Sequence, residues 1–155
     1  MSIENANLYR QELIQKYRTV IEPVFRYIPW LTKKQGTQTS YLYQGDDVPV
    51  NSVPVPVYDG TLLSFVKDMQ ATGLMRRNYV YVFSRCNIHS QQDELNYIAG
   101  AKLADIEDIF DIMAKYVLGG MTKGRLWSEG VESGVFLQAL LKMKEILEVW
   151  DKPLA

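Results

Sequence analysis

The spacing of apolar positions along this chain is mainly helical. In residues 5–32 apolar side chains recur every three or four positions, which predicts a helix with one apolar face. Pro23 lies inside this stretch, and because proline removes a backbone donor and clashes with the preceding turn, we expect a kink or a break near Ile21-Glu22. Since proline is tolerated in a first helical turn, Glu22-Pro23 could instead start a second short helix. The apolar positions are Leu8, Leu13, Tyr17, Val20, Ile21, Val24, Phe25 and Ile28.

The clearest helical stripes lie in the second half of the chain. From Leu103, apolar side chains recur at Ile106, Ile109, Phe110, Met113 and Val117, and a final amphipathic helix runs from Val135 to Trp150. Gly119 and Gly120 predict a chain reversal, and Gly134 predicts the end of a short intervening helix. These stripes therefore predict helices that share one core.

Acidic residues occupy the other face of the helix that follows Leu103. Asp105, Glu107, Asp108 and Asp111 lie opposite its apolar stripe, and Asp111 precedes Lys115 by four residues. Closely placed buried carboxylates could serve acid–base chemistry, because burial and like charge shift their pKa values. Since these residues oppose the stripe, we expect a solvated face instead.

Three shorter segments have the composition of strands. Residues 39–43 are β-prone, residues 53–57 alternate valine with proline, and residues 79–83 (Tyr-Val-Tyr-Val-Phe) give the strongest strand signal. Proline cannot donate to a strand ladder, so residues 49–57 predict an edge or extended arm on which a partner could dock. We therefore predict a helix-dominated α+β fold of five to six helices, with a small antiparallel strand patch from 39–43, 53–58 and 79–83.

Length and charge narrow the class of protein. The 155 residues suit a single globular domain spanning 1–155. The formal net charge is −1, which disfavours nucleic-acid binding, and no apolar run approaches the roughly 18 residues that span a bilayer. A lone cysteine, Cys86, and a polar N-terminus without an apolar signal core predict a cytoplasmic protein without a membrane partner.

One stretch of the chain resembles a family of uncharacterised bacterial proteins known only as a domain of unknown function. The resemblance rests on Phe65-Val66 with Gly73 ahead of Tyr79, and on Ile98, Ala101, Leu103 and Ile106 leading into a helix. A third part is the pattern G-x-L-x5-E-x-G-x5-L-x2-M, formed by Gly124, Leu126, Glu132, Gly134, Leu140 and Met143. These motifs are mostly glycines and apolar residues, so they specify shape rather than chemistry.

The whole chain also resembles hypothetical proteins of gut Firmicutes, which share the strings QGT, VYDGTLLSFVK and KYVLGGMTKG-LWSEGVE. The broader family often has a basic stretch after its long helix, whereas residues 117–121 of this chain contain no arginine. The resemblance implies no known activity, substrate or cofactor.

Cys86 and His89 have the spacing C-x-x-H but lack obvious companions. A zinc site needs about four ligands, and a nucleophilic Cys–His pair needs an oriented thiol. Gly119, Gly120, Lys123 and Gly124 likewise fail the spacing of a phosphate-binding loop. We therefore expect no metal, no cofactor and no catalytic residue here.

Glu132 is the most suggestive acidic residue. It lies at a predicted helix junction, where its carboxylate could accept hydrogen bonds from the exposed backbone donors of the next helix. The functional alternative is a ligand contact in a pocket walled by Trp127 and Tyr116, which would make the chain a small-ligand-binding protein or an enzyme.

Arg76, Arg77 and Arg85 offer a different alternative. Together with the tyrosines of the predicted strand they could form a basic, aromatic patch for single-stranded nucleic acid. The overall charge disfavours it.

The reactive inventory of one cysteine and one histidine favours a non-catalytic interaction or regulatory module that binds a protein or peptide. Trp30, Trp127 and Trp150 lie near predicted helix ends, where each could serve the core or an interface, so homo-oligomerisation stays open.

Overall fold

The computed structural model of this chain describes residues 3–37, 40–42 and 56–149. The α-helices are α1 (Ile3–Ile21), α2 (Ile28–Lys34), α3 (Gly60–Ala71), α4 (Tyr81–Arg85), α5 (Gln91–Gly100), α6 (Ile106–Val117), α7 (Arg125–Glu132) and α8 (Val135–Val149). Three 3-10 turns, at Glu22–Tyr27, Leu103–Asp105 and Gly119–Met121, connect α1 to α2, lead into α6, and follow α6.

The predicted α+β class is wrong, and so is the helix count of five to six: the described part is built from eight α-helices. Strands β1 (Ser40–Leu42) and β2 (Pro56–Tyr58) pair antiparallel, with Ser40 opposite Tyr58, but this three-residue ladder is the extent of the pairing in the described ranges. It adds no layer to the helical core.

Residues 79–83 are the main error, because they form a turn and the start of α4 rather than a strand. Val80 and Tyr81 are exposed, whereas Val82 is buried and Phe83 packs against the core together with Cys86. Core-facing positions 82, 83 and 86 follow the spacing of a helix. The alternation of valine and tyrosine in this segment therefore does not correspond to a strand with one buried and one exposed face.

The break after α1 is confirmed. The α-helix ends at Ile21, and Pro23 lies in the first turn of the 3-10 segment, where its missing N–H costs no hydrogen bond. The chain then continues into α2, whose Leu31 is fully buried.

Helix α6 lies at the centre of the core. Its apolar stripe is confirmed, with Ile106, Ile109, Phe110, Met113 and Val117 all buried. Helices α3, α4, α7 and α8 all contact it, and α8 also packs on α2, α5 and α7. A helix covered on several sides must bury more than one face. Some of the acidic residues of α6 are therefore covered by neighbouring segments.

The glycines after α6 allow a close approach of an aromatic ring. A Cβ at Gly120 would lie 2.1 Å from Cδ1 of Trp127, so only glycine fits beneath this indole. The indole Nε1 donates to the backbone oxygen of Val117 at 2.9 Å. Gly134 has a φ of +86°, which separates α7 from α8 as predicted.

Candidate functional site

The largest concavity that we describe is an open groove of about 720 Å³ between residues 6–17 of α1 and the turn that leads into α6. Its apolar lining comes from both walls: Ala6, Tyr9 and Leu13 from α1, and Leu103 and Ala104 from the opposite turn. Tyr9 is 59% exposed, and its neighbour Leu8 is 56% exposed. Large apolar side chains left in solvent beside a groove are typical of a binding surface.

Tyr17 forms the floor of this groove. Its ring is 5% exposed and lies 5.6 Å from that of Phe110, which anchors it to α6. Its hydroxyl donates to Oε1 of Glu107 at 3.1 Å. Burial and the adjacent Glu107 carboxylate raise the pKa of Tyr17 to about 12, so the phenol stays neutral.

The charged lining residues are Arg10, Lys16, Lys102 and Glu107. Three cations and one acid leave a formal charge of +2, whereas the whole chain carries −1. The carboxylate of Glu107 accepts the Tyr17 hydrogen bond and lies 3.8 Å from Nη1 of Arg76. The groove is therefore a cationic surface on a slightly acidic chain.

The prediction of a solvated acidic face on α6 is wrong for Asp108 and Asp111, whose side chains are 13% and 4% exposed, whereas Glu107 is exposed as predicted. Asp111 binds Arg76 through two hydrogen bonds, Nε to Oδ1 at 3.1 Å and Nη2 to Oδ2 at 2.6 Å. This two-point geometry is the strong form of an arginine–carboxylate pair. Arg76 thereby attaches the chain before α4 to the central helix.

Asp108, one turn earlier on α6, is equally engaged. It accepts hydrogen bonds from Nη2 of Arg85 and from the hydroxyl of Tyr97, both at 2.6 Å, and lies 3.9 Å from Sγ of Cys86. Burial alone would raise the pKa of Asp108, but the hydrogen bonds and positive charge of these partners outweigh it and hold the pKa below its usual value.

A third polar cluster is centred on Glu94 of α5, which is 1% exposed. One carboxylate oxygen accepts from the hydroxyl of Tyr116, and the other accepts from Nζ of Lys115 at 2.7 Å. Burial and the Glu94 carboxylate raise the pKa of Tyr116, which fixes its hydroxyl as the donor. Glu94 lines a smaller concavity of about 350 Å³ with Lys115, Tyr79 and His89.

The structure places the predicted pocket residues in separate surroundings. Tyr116 is fully buried against Glu94, and the indole of Trp127 covers the end of α6. Glu132 is half-buried, and its backbone oxygen accepts from the amide of Gly36 at 3.0 Å, which ties α7 to the end of α2. None of the concavities described here is lined by these three residues, so a ligand role for them stays a prediction.

The arginines of the nucleic-acid hypothesis are divided in the same way. Arg76 and Arg85 form ion pairs with α6, whereas Arg77 is exposed. Two of the three guanidinium groups therefore already have carboxylate partners, which weakens the case for a phosphate-binding patch.

Cys86 and His89 do not converge. Cys86 faces Asp108, while Nε2 of the exposed His89 shares a hydrogen bond of 2.7 Å with Oδ1 of Asn87. Across residues 3–37, 40–42 and 56–149, no group of three or more His, Cys, Asp or Glu side chains is placed to hold a metal ion.

Most of the predicted docking edge lies outside the described residues, because only positions 56 and 57 of 49–57 are described, in β2. Trp150 also lies outside them. Among the helices of the described part, none has the length and apolar character needed to cross a membrane.

Comparisons with protein-family models, with curated proteins and with solved structures found no match for this chain. The resemblance to an uncharacterised bacterial family therefore stays a prediction.

The groove residues were missed because they come from distant parts of the chain. Positions 6–17 and 102–107 are separated by roughly 90 residues, and helical periodicity does not reveal which helices pack together. The stripe predicted for α1 did not mark them either, because Leu8 belongs to it and is 56% exposed, whereas Ile14 lies outside it and is 1% exposed.

Proposed function

We propose that this chain is a non-catalytic interaction module, acting in the cytoplasm, which binds a peptide segment of a partner protein in the groove between α1 and the 103–105 turn. The observation that carries this proposal is the open groove of about 720 Å³, with apolar side chains on both walls and the exposed Tyr9 at its edge. The single cysteine supports the cytoplasmic location.

The shape of the groove favours a peptide over a small metabolite. Small-molecule sites usually enclose most of their ligand's surface, whereas this groove is open to solvent along its length. A peptide segment can place one or two apolar side chains between Leu13 and Leu103 and leave its backbone in water. Aromatic residues such as Tyr9 are enriched at such interfaces.

The chemistry elsewhere supports a binding role rather than a catalytic one. The buried carboxylates of Glu94, Asp108 and Asp111 each accept hydrogen bonds from a neighbouring cationic side chain. Groups held in this way attach helices to each other, and none of them lines the large groove.

The test is a selection of peptides from a randomised dodecamer display library, followed by fluorescence anisotropy with the synthesised peptides. Ala104 is exposed and lines the groove, so Ala104→Trp fills the groove without disturbing the core. The matched control is Ala71→Trp, which changes an exposed position at the end of α3.

We expect Ala104→Trp to weaken binding of the selected peptides by at least about tenfold, because the indole occupies the space of the anchor, while Ala71→Trp stays within about twofold. Selection of no peptide, or equal binding by both variants, would show that the groove is not a peptide site.

A further inference from the structure

We infer that the segment bound in this groove is acidic, with carboxylate side chains on both sides of an apolar anchor. This inference rests on the proposed function and adds the chemistry of the partner. It follows from where the cations lie and from how the one acid of the groove is occupied.

The cations border the groove on both walls. Arg10 and Lys16 belong to α1 and are six residues apart, about 9 Å along the helix axis at 1.5 Å per residue. Lys102 lies on the opposite wall, just before the turn. A segment lying between these walls meets positive charge on either side of its apolar anchor.

Glu107 cancels only one of the three positive charges of the groove. Its carboxylate accepts a hydrogen bond from the hydroxyl of Tyr17 and lies 3.8 Å from Nη1 of Arg76, whose two-point partner is Asp111. Lys16 and Lys102 are exposed, and Nζ of Lys16 lies 5.3 Å from the centre of the Tyr17 ring, above the floor of the groove. Their ammonium groups are thus placed at the surface a ligand would contact.

A cationic groove could also bind a single-stranded nucleic acid, but the lining residues favour an acidic peptide. Strand binders stack successive bases on aromatic faces. Here Tyr17 is 5% exposed, so Tyr9 is the aromatic ring accessible in this groove, and the other apolar positions are aliphatic. Aliphatic walls suit the side chains of a peptide.

The experiment repeats the peptide selection with two charge-reversed proteins. Lys16→Glu/Lys102→Glu reverses both exposed rim lysines, and Lys33→Glu/Lys67→Glu makes the same change on α2 and α3, away from the groove. Circular dichroism establishes that each variant is folded. A 20-nucleotide oligo-dT provides the nucleic-acid arm.

We expect the unchanged protein and the α2/α3 control to enrich peptides of negative net charge, and the rim variant to enrich neutral or positive ones. The acidic peptides should lose at least about tenfold in affinity on the rim variant, because each reversal replaces an attraction with a repulsion. Their affinity for the unchanged protein should also fall as salt is raised from 20 to 300 mM, since exposed pairs are screened.

Three outcomes would overturn this inference. The first is that the enriched peptides show no charge bias, or that the rim variant does not change their affinities. If Ala104→Trp still blocks binding, the groove would then be a peptide site that does not select for charge. Oligo-dT binding tighter than the peptides, with the same dependence on the rim lysines, would replace the acidic peptide by nucleic acid. Insensitivity of all binding to Ala104→Trp would instead refute the proposed function itself.

Discussion

The pair formed by Arg76 and Asp111 gives an asymmetric prediction, because its two members differ in exposure. The Asp111 side chain is 4% exposed and that of Arg76 is 43% exposed. If Arg76 loses its charge, a buried carboxylate is left without its cation. If Asp111 loses its charge, the half-exposed guanidinium can still reach water. The two substitutions should therefore not cost the same.

The magnitudes follow from this difference. Removing one partner of a fully buried pair costs about 3–5 kcal/mol, and the access of water at Arg76 reduces this to about 2 kcal/mol for Arg76→Met, which keeps most of the packing of the aliphatic stem. Asp111→Asn keeps the volume and an acceptor, so we expect a loss of about 1 kcal/mol, in the range of a single ordinary hydrogen bond.

The measurement is urea unfolding at pH 7, followed by the fluorescence of the partly buried tryptophans at positions 30 and 127. Arg77→Met is the matched control, because Arg77 is the exposed neighbour and should stay within about 0.5 kcal/mol of the unchanged protein. The double variant Arg76→Met/Asp111→Asn completes a cycle with a coupling of about 0.5–3 kcal/mol. A loss smaller for Arg76→Met than for Asp111→Asn would refute the reasoning.

Three further predictions use the same unfolding assay. Gly120→Ala should cost about 1–3 kcal/mol because its methyl group would overlap an indole 2.1 Å away, whereas Gly100→Ala, with open space at its Cβ, should be nearly neutral; equal costs would contradict this contact. Tyr17 has a pKa raised from 10.0 to about 12, so its contribution to the free energy of unfolding is complete below pH 10 and is lost as pH rises to 12. The difference in stability between the unchanged protein and Tyr17→Phe should shrink over that window, and a constant difference would contradict this contribution. Asp108 has a lowered pKa, so its contribution to the free energy of unfolding is present above pH 3.8 and is lost as pH falls below that value. The difference in stability between the unchanged protein and Asp108→Asn should narrow there, and a constant difference would show that the charge is not stabilising.

Helices α6 and α8 were predictable because each contains an apolar stripe with helical spacing. The stripe of α6 and the break at Pro23 were read from local spacing and local chemistry, and both are present. The start of α5 depends on equally local chemistry, because the hydroxyl of Ser90 accepts from the amide of Asp93 at 3.1 Å. Such features depend on a few neighbouring residues, so the sequence contains all the information they need.

The errors arose where distant segments decide the outcome. Residues 79–83 alternate like a strand, but Val82 and Phe83 pack onto α6. The sheet of the described part consists of β1 and β2 alone, so this segment is not paired with either strand. Asp108 and Asp111 of α6 oppose an apolar stripe, yet Arg76 and Tyr97 from the preceding segment cover them. Periodicity shows where a helix is apolar but not whether a second layer covers its polar side.

The order of charges along α6 has a consequence for how this chain can vary. Arg76 faces Asp111, and Glu94 faces Lys115 one turn further on. A slip of one turn, about 5.4 Å, towards the end of α6 would set Arg76 against Lys115 and leave Glu94 beside Gly119 with no cation. The opposite slip would set Glu94 against Asp111, so the segment that contains Arg76 and helix α5 have one favourable alignment on α6. In related sequences, replacement of Arg76 should therefore be accompanied by replacement of Asp111, so we expect the two positions to covary.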